Sequence, residues 1–159
     1  MSDQHYTIRL EPRGKGRPVF SRATGSARTP ETTRAWEHEA AHQLREQHHT
    51  SGYFVVEDGS SVPWDGIHPL WEVDVTAYHP RPKTRPAYIP REIWKMPTYS
   101  LPATSRHDLD NIVKIVLDAM QIARVIENDR CIVSINAGSF YAAPGEEPRV
   151  DVALREVRV

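Results

Sequence analysis

Between Asp108 and Asp129 the sequence concentrates side chains that can do chemistry on a phosphate. The run Asp108-Leu109-Asp110-Asn111-Ile112-Val113-Lys114 holds two carboxylates and an amine, and Asp129 adds a third carboxylate after a helix-length gap. Three acids converging on one point would bind a hard divalent cation, which takes oxygen ligands. An amine beside them suits a site where charge builds on a phosphoryl group during transfer. Together they point to metal-dependent hydrolysis of a phosphodiester. Each residue also has a plainer role open to it. Asp108 or Asp110 would cap a helix and favour its dipole. Lys114 would pair with Asp110 across one turn, and Asp129 would sit in the turn Glu127-Asn128-Asp129-Arg130. The setting favours chemistry: Asp110, Lys114 and Asp118 share an otherwise apolar helix, and buried charges are costly unless paired or bound.

A second metal motif competes. His38-Glu39-Ala40-Ala41-His42 matches H-E-x-x-H on an expected helix, where two histidines chelate zinc and the glutamate activates its water. The pattern is short, and the chain has eight histidines. No third ligand stands at a recognisable spacing. Its flanks, Glu37, Arg45 and Glu46, are charged, whereas a zinc helix packs into an interior. Zinc is the weaker reading.

The elements that must position these residues follow from periodicity. Residues 5–11 alternate and predict a first strand. The loop Pro12-Arg13-Gly14-Lys15-Gly16-Arg17-Pro18 follows; its glycines would let backbone approach a ligand, and its cations suit phosphates. It lacks the Walker spacing. Thr29-Pro30 opens a helix running to about His48, with Ala35, Trp36, Ala40 and Leu44 at helical spacing. Residues 52–69 are poorly patterned and read as a loop or hairpin. Trp71, Val73, Val75 and Ala77 alternate with polar neighbours in a half-buried strand. Six prolines between Pro80 and Pro102 mark a long surface excursion over about 80–105. The second helix, about 109–121, is apolar on most faces and therefore buried. Its polar exceptions Asp110, Lys114, Asp118 and Gln121 form one stripe. Strands at 131–142 and 149–157 close the chain. The order β-α-β-α-β-β predicts an α+β fold over a single domain, 1–159: a small mixed sheet with two main helices packed on it.

Composition agrees with a globular protein: 39% hydrophobic, 26% charged, and no apolar run long enough to span a membrane. The N-terminus has no signal-peptide pattern, and the single Cys131 cannot form an internal disulfide, so a cytoplasmic setting is expected. The net charge of −1 hides a segregation. Residues 9–34 carry seven basic side chains against two acidic, and residues 79–107 carry six against one. Each segment is thus net +5, leaving −11 for the rest. Two basic segments flanking an acidic site fit a polyanion, although basic loops are also commonly just solvated.

The same residues resemble the RusA family of Holliday junction resolvases, small and often phage-encoded endonucleases. That family's pattern is D-L-D-N, a lysine four residues past its second aspartate, then L-D-A-[LM], then an acidic pair before a strand. Here it reads Asp108-Leu109-Asp110-Asn111, Lys114, Leu117-Asp118-Ala119-Met120 and Asn128-Asp129. Lys15-Gly16-Arg17-Pro18, the Thr29-Pro30 helix start and the Pro-rich run into Thr104-Ser105-Arg106-His107 are similar to phage members. The resemblance covers most of the chain, with 46–70 matching least. It implies that Asp108, Asp110 and Asp129 are catalytic metal-binding carboxylates and that Lys114 is the essential amine. It further implies Mg²⁺, with Mn²⁺ able to substitute, branched DNA as substrate, and a homodimer in a bacterial or phage-infected host cell. Asn128 departs from the pattern, leaving the closing pair one acid short, and His107 is a lesser departure.

The expected function is a Mg²⁺-dependent endodeoxyribonuclease that resolves four-way junctions by paired phosphodiester hydrolysis. Lys15, Arg17, Arg22, Arg81, Lys83, Arg85 and Arg106 would grip backbone phosphates, reading shape rather than base sequence. Two alternatives stay open. One is a branched-DNA-binding protein without catalysis; the other is the zinc hydrolase of His38, Glu39 and His42.

Overall fold

The computed structural model describes residues 3–23, 25–50, 69–96, 101–104 and 107–157. The reading of 52–69 as a loop or hairpin lies essentially outside them, as does Arg106. Strands β1 (Gln4–Ile8), β4 (Leu70–His79), β5 (Leu101–Pro102), β6 (Ile132–Tyr141) and β7 (Arg149–Val157) form one mixed sheet in the order β1-β7-β4-β6-β5. Helices α1 (Glu31–Thr50) and α3 (Leu109–Ile122) pack together and cover one face. A separate ribbon pairs β2 (Val19–Ser21) with β3 (Ser26–Arg28), and α2 (Arg91–Trp94) is a single turn inside the excursion. The α+β arrangement expected from periodicity is therefore present. The ribbon, α2 and β5 are additions, each too short to leave a periodic signal. No described helix is long and apolar enough to cross a membrane.

Alternation sets the sheet. Trp71, Val73, Val75 and Ala77 point into the core, as do Val150, Val152 and Leu154 of β7, which pairs antiparallel with β4. The opposite face is polar: Arg155 reaches Glu72 at 3.0 Å, and Arg149 reaches Asp151 at 3.0 Å. From the helices, Ile112, Ile115, Val116, Met120, Ala40 and Leu44 fill the same core and are essentially inaccessible to solvent. The edge strand β1 is covered by side-chain amides of α1. Gln47 accepts from Thr7 N at 2.8 Å and donates to Thr7 O at 2.9 Å, while Gln43 accepts from Arg9 N at 2.8 Å. These bonds satisfy backbone groups that an open edge leaves bare.

Strands β4 and β6 are parallel, with Trp71 opposite Ile132 and His79 opposite Tyr141. The chain between them must return along the sheet, and α3 makes that return. β5 joins β6 at Phe140 and Tyr141, the end at which β4 finishes. Leu101, Ile89 and Tyr141 form a small second cluster there, backed by Ile93 and Trp94, which anchors the excursion.

Candidate active site

Asp108 is the N-cap residue of α3, yet its side chain makes no capping hydrogen bond; only its backbone carbonyl accepts, from Asn111 and Ile112. Its carboxylate stands exposed at the positive end of the helix dipole. One turn in, Lys114 Nζ donates to Asp110 Oδ2 at 2.9 Å. That hydrogen bond, with the charge behind it, holds the Asp110 carboxyl below its ordinary range. The two side chains are 64% and 59% exposed. The expectation of buried charges on α3 is thus corrected. The helix is buried on its apolar faces, and the polar stripe turns outward at Asp110 and Lys114 but is half-covered at Asp118 and Gln121.

Asp118, further along that stripe, is half-buried and ion-paired with Lys15 Nζ. Lys15 N also donates to Asn111 O at 3.0 Å, so the N-terminal loop is pinned to α3 by backbone and side chain together. The glycines allow this docking. A Cβ on Gly14 would stand 3.0 Å from His107 Cβ, and one on Gly16 would stand 2.8 Å from Thr33 Oγ1. Gly16 N donates to that same hydroxyl. Glu37 of α1 is buried beside this contact; burial first, and the Asp118 charge second, push its carboxyl pKa up. Residue types and spacing do not single out Glu37. Its one signal is its place with Thr33, Ala40, Leu44 and His48 on the inward stripe of α1.

Asp129 opens a 3-10 turn, Asp129–Cys131, whose cap is Asn128: its side chain accepts from Arg130 N at 2.9 Å. Asparagine caps as well as aspartate does, which gives the departure at 128 a structural role. Asp129 immediately precedes the start of β6, opposite Trp71, whereas α3 begins at the far end of the sheet. Fourteen helical residues span about 21 Å. Asp110 and Lys114 are brought together next to the Asp108 cap, and Asp129 follows only after the far end of α3. Within one chain the three carboxylates do not fit a three-ligand cation site. Among the described residues, no three His, Cys, Asp or Glu side chains gather closely enough to hold a metal ion.

The zinc motif fares no better. His38, Glu39 and His42 all face solvent; Glu39 accepts from Gln43 at 3.0 Å, and His42 lies 3.8 Å from Glu46. The expected phosphate-gripping residues divide. Arg17, Arg22 and Lys83 are exposed. Lys15 is committed to Asp118. Arg81 stacks 4.0 Å over Trp94 and donates to its carbonyl, and Arg85 donates to Ile89 O, so both brace the excursion.

No curated protein matches the chain. The family profile described as Endodeoxyribonuclease RusA matches residues 9–155, nearly the whole chain, from the docked loop into β7. The chain therefore belongs to the RusA family of Holliday junction-resolving endodeoxyribonucleases.

Proposed function

We propose that this chain cuts four-way DNA junctions by paired, Mg²⁺-dependent phosphodiester hydrolysis, and that it does so as a homodimer. The observation that carries this reading is the outward-facing group of Asp108, Asp110 and Lys114 on the first turns of α3. Exposed acids beside an amine, at a helix N-terminus that attracts anions, suit a backbone phosphate arriving from solvent. Nucleases of this family are metal-dependent. A bound divalent cation would neutralise phosphate charge and lower the pKa of a water. This chain's own contribution is to hold Asp110 ionised through Lys114 and to present the ammonium to the phosphate.

The separation of Asp129 supports the dimer. A second copy that laid its Asp129 beside Asp108 and Asp110 would complete a three-carboxylate set, twice over by symmetry. β6 offers a seam for such pairing. From Ile132 to Gly138 its outer edge is unpaired among the described residues, and Val133 and Ile135 are exposed there. A junction is nearly two-fold symmetric, so two sites related by an axis match two cuts.

The test is incubation of a labelled four-way junction with the wild type and with Asp110→Asn, in Mg²⁺ and in EDTA. Paired nicks that require Mg²⁺ and Asp110, with junction binding retained by the variant, are expected. Cutting by Asp110→Asn at the wild-type rate would remove the site.

A further inference from the structure

The β2–β3 ribbon is a sheet of its own, separate from the main sheet. Two-stranded ribbons are marginal on their own, and this one places its apolar side chains outward. Phe20 is 64% exposed and Val19 50%. Phe20 pairs across the ribbon with Ala27, too small to cover an aromatic ring. Three arginines, Arg17, Arg22 and Arg28, lie on or beside the ribbon and are exposed. The ribbon contains no acid between Pro18 and Pro30.

Its position is fixed by the docked loop. Lys15 is held on α3 and Gly16 on α1, so Phe20, five residues past Lys15, lies within about 18 Å of that anchor even at full extension. Successive strand side chains point to opposite faces. Val19 therefore looks the other way from Phe20, into a groove of about 630 Å³ that it lines with Arg28, Arg34 and His38 at the start of α1. Glu31 also lines this groove, so its charge is mixed.

We infer that Phe20 is a stacking wedge for bases unstacked at a DNA branch point, carried on a basic ribbon that holds the adjoining phosphates. An uncharged apolar protein surface matched to the ring would leave the exposed arginines of the ribbon unpaired. Unstacked bases offer a π-face to the ring and adjoining phosphates to the exposed arginines on and beside the ribbon, the combination used by proteins that bind single strands. Continuous duplex offers the phosphates without the free base face. Phe20 is thus a residue for choosing branched over linear DNA. The inference rests on the reading of the chain as a junction nuclease.

The experiment compares dissociation constants for a four-way junction and for a linear duplex of the same sequence, in the wild type, Phe20→Ala, Phe20→Leu and Phe20→Trp. Phe20→Ala should bind the junction on the order of tenfold more weakly and the duplex unchanged, which also shows that the variant is folded. Phe20→Leu should stay weak, and Phe20→Trp should recover. Equal junction affinity in the wild type and Phe20→Ala would overturn the wedge while leaving the nuclease reading intact. Equal losses on both DNAs, or recovery by leucine, would overturn it in favour of a general apolar contact. A wild type that neither prefers nor cuts junctions would overturn the underlying reading, and the wedge with it.

Discussion

Lys114 donates to Asp110 across one turn of an exposed helix face, so each sets the electrostatics of the other. The carboxyl is held below its ordinary value near 3.8 chiefly by that hydrogen bond. In Lys114→Met it should titrate at a higher pH than in the wild type, observed by NMR of the side-chain carboxyl. A depressed carboxyl favours the folded chain above the unfolded pKa, and that contribution is lost as pH falls through the folded value. At pH 7 the carboxyl is ionised in both proteins, so cutting lost in Lys114→Met at neutral pH would be a loss of the amine itself. An unmoved titration would mean that Lys114 does not govern Asp110. Among the cations, position in the fold separates grip from scaffold. Arg17→Ala should weaken DNA binding and lower the salt slope by about one. Lys15→Ala should act instead through the freed loop and the unpaired Asp118. A slope that changes equally in both would return Lys15 to the DNA surface.

At the scale of elements, periodicity carried far where strands and helices were long. β4, α3 and β7 lie within a residue or so of where alternation and the apolar pattern place them. The ribbon and β5, with three and two residues per strand, offer too few positions for a period. The candidate site was legible as residue types and spacing, but not as geometry. An apolar helix with a polar stripe reads equally well as buried charges or as one outward face, and only the packing of α1 and the sheet decides. The glycines of the docked loop show the same limit. Gly14 and Gly16 signal close approach, and the sequence does not say whether to a phosphate or to a helix. Packing of α3 sets the direction in which Asp108 and Asp110 face. Ile115 is fully buried on the opposite side of that helix. Ile115→Ala should therefore cost about 2–5 kcal/mol of stability in urea unfolding, with little change in the slope. A cost below about 1 kcal/mol would mean that α3 is less firmly seated than its burial implies.

At the scale of the whole molecule, the parallel pairing of β4 with β6 forces α3 to run the length of the sheet and so divides the carboxylates between its two ends. The sequence brings Asp110 and Asp129 within nineteen positions of each other, and the fold undoes that proximity. A second copy of the chain can restore it, which makes dimerisation part of the proposed chemistry. The most direct measurement mixes Asp110→Asn with Asp129→Asn, refolded together, on a labelled four-way junction in Mg²⁺. Each variant alone should be silent. If the site is shared between copies, the mixed dimer holds one site with both changes and one intact site, and nicks should appear on one strand only. Silence in the mixture, with the wild type active, would place the carboxylates of each site on a single chain and contradict the shared site.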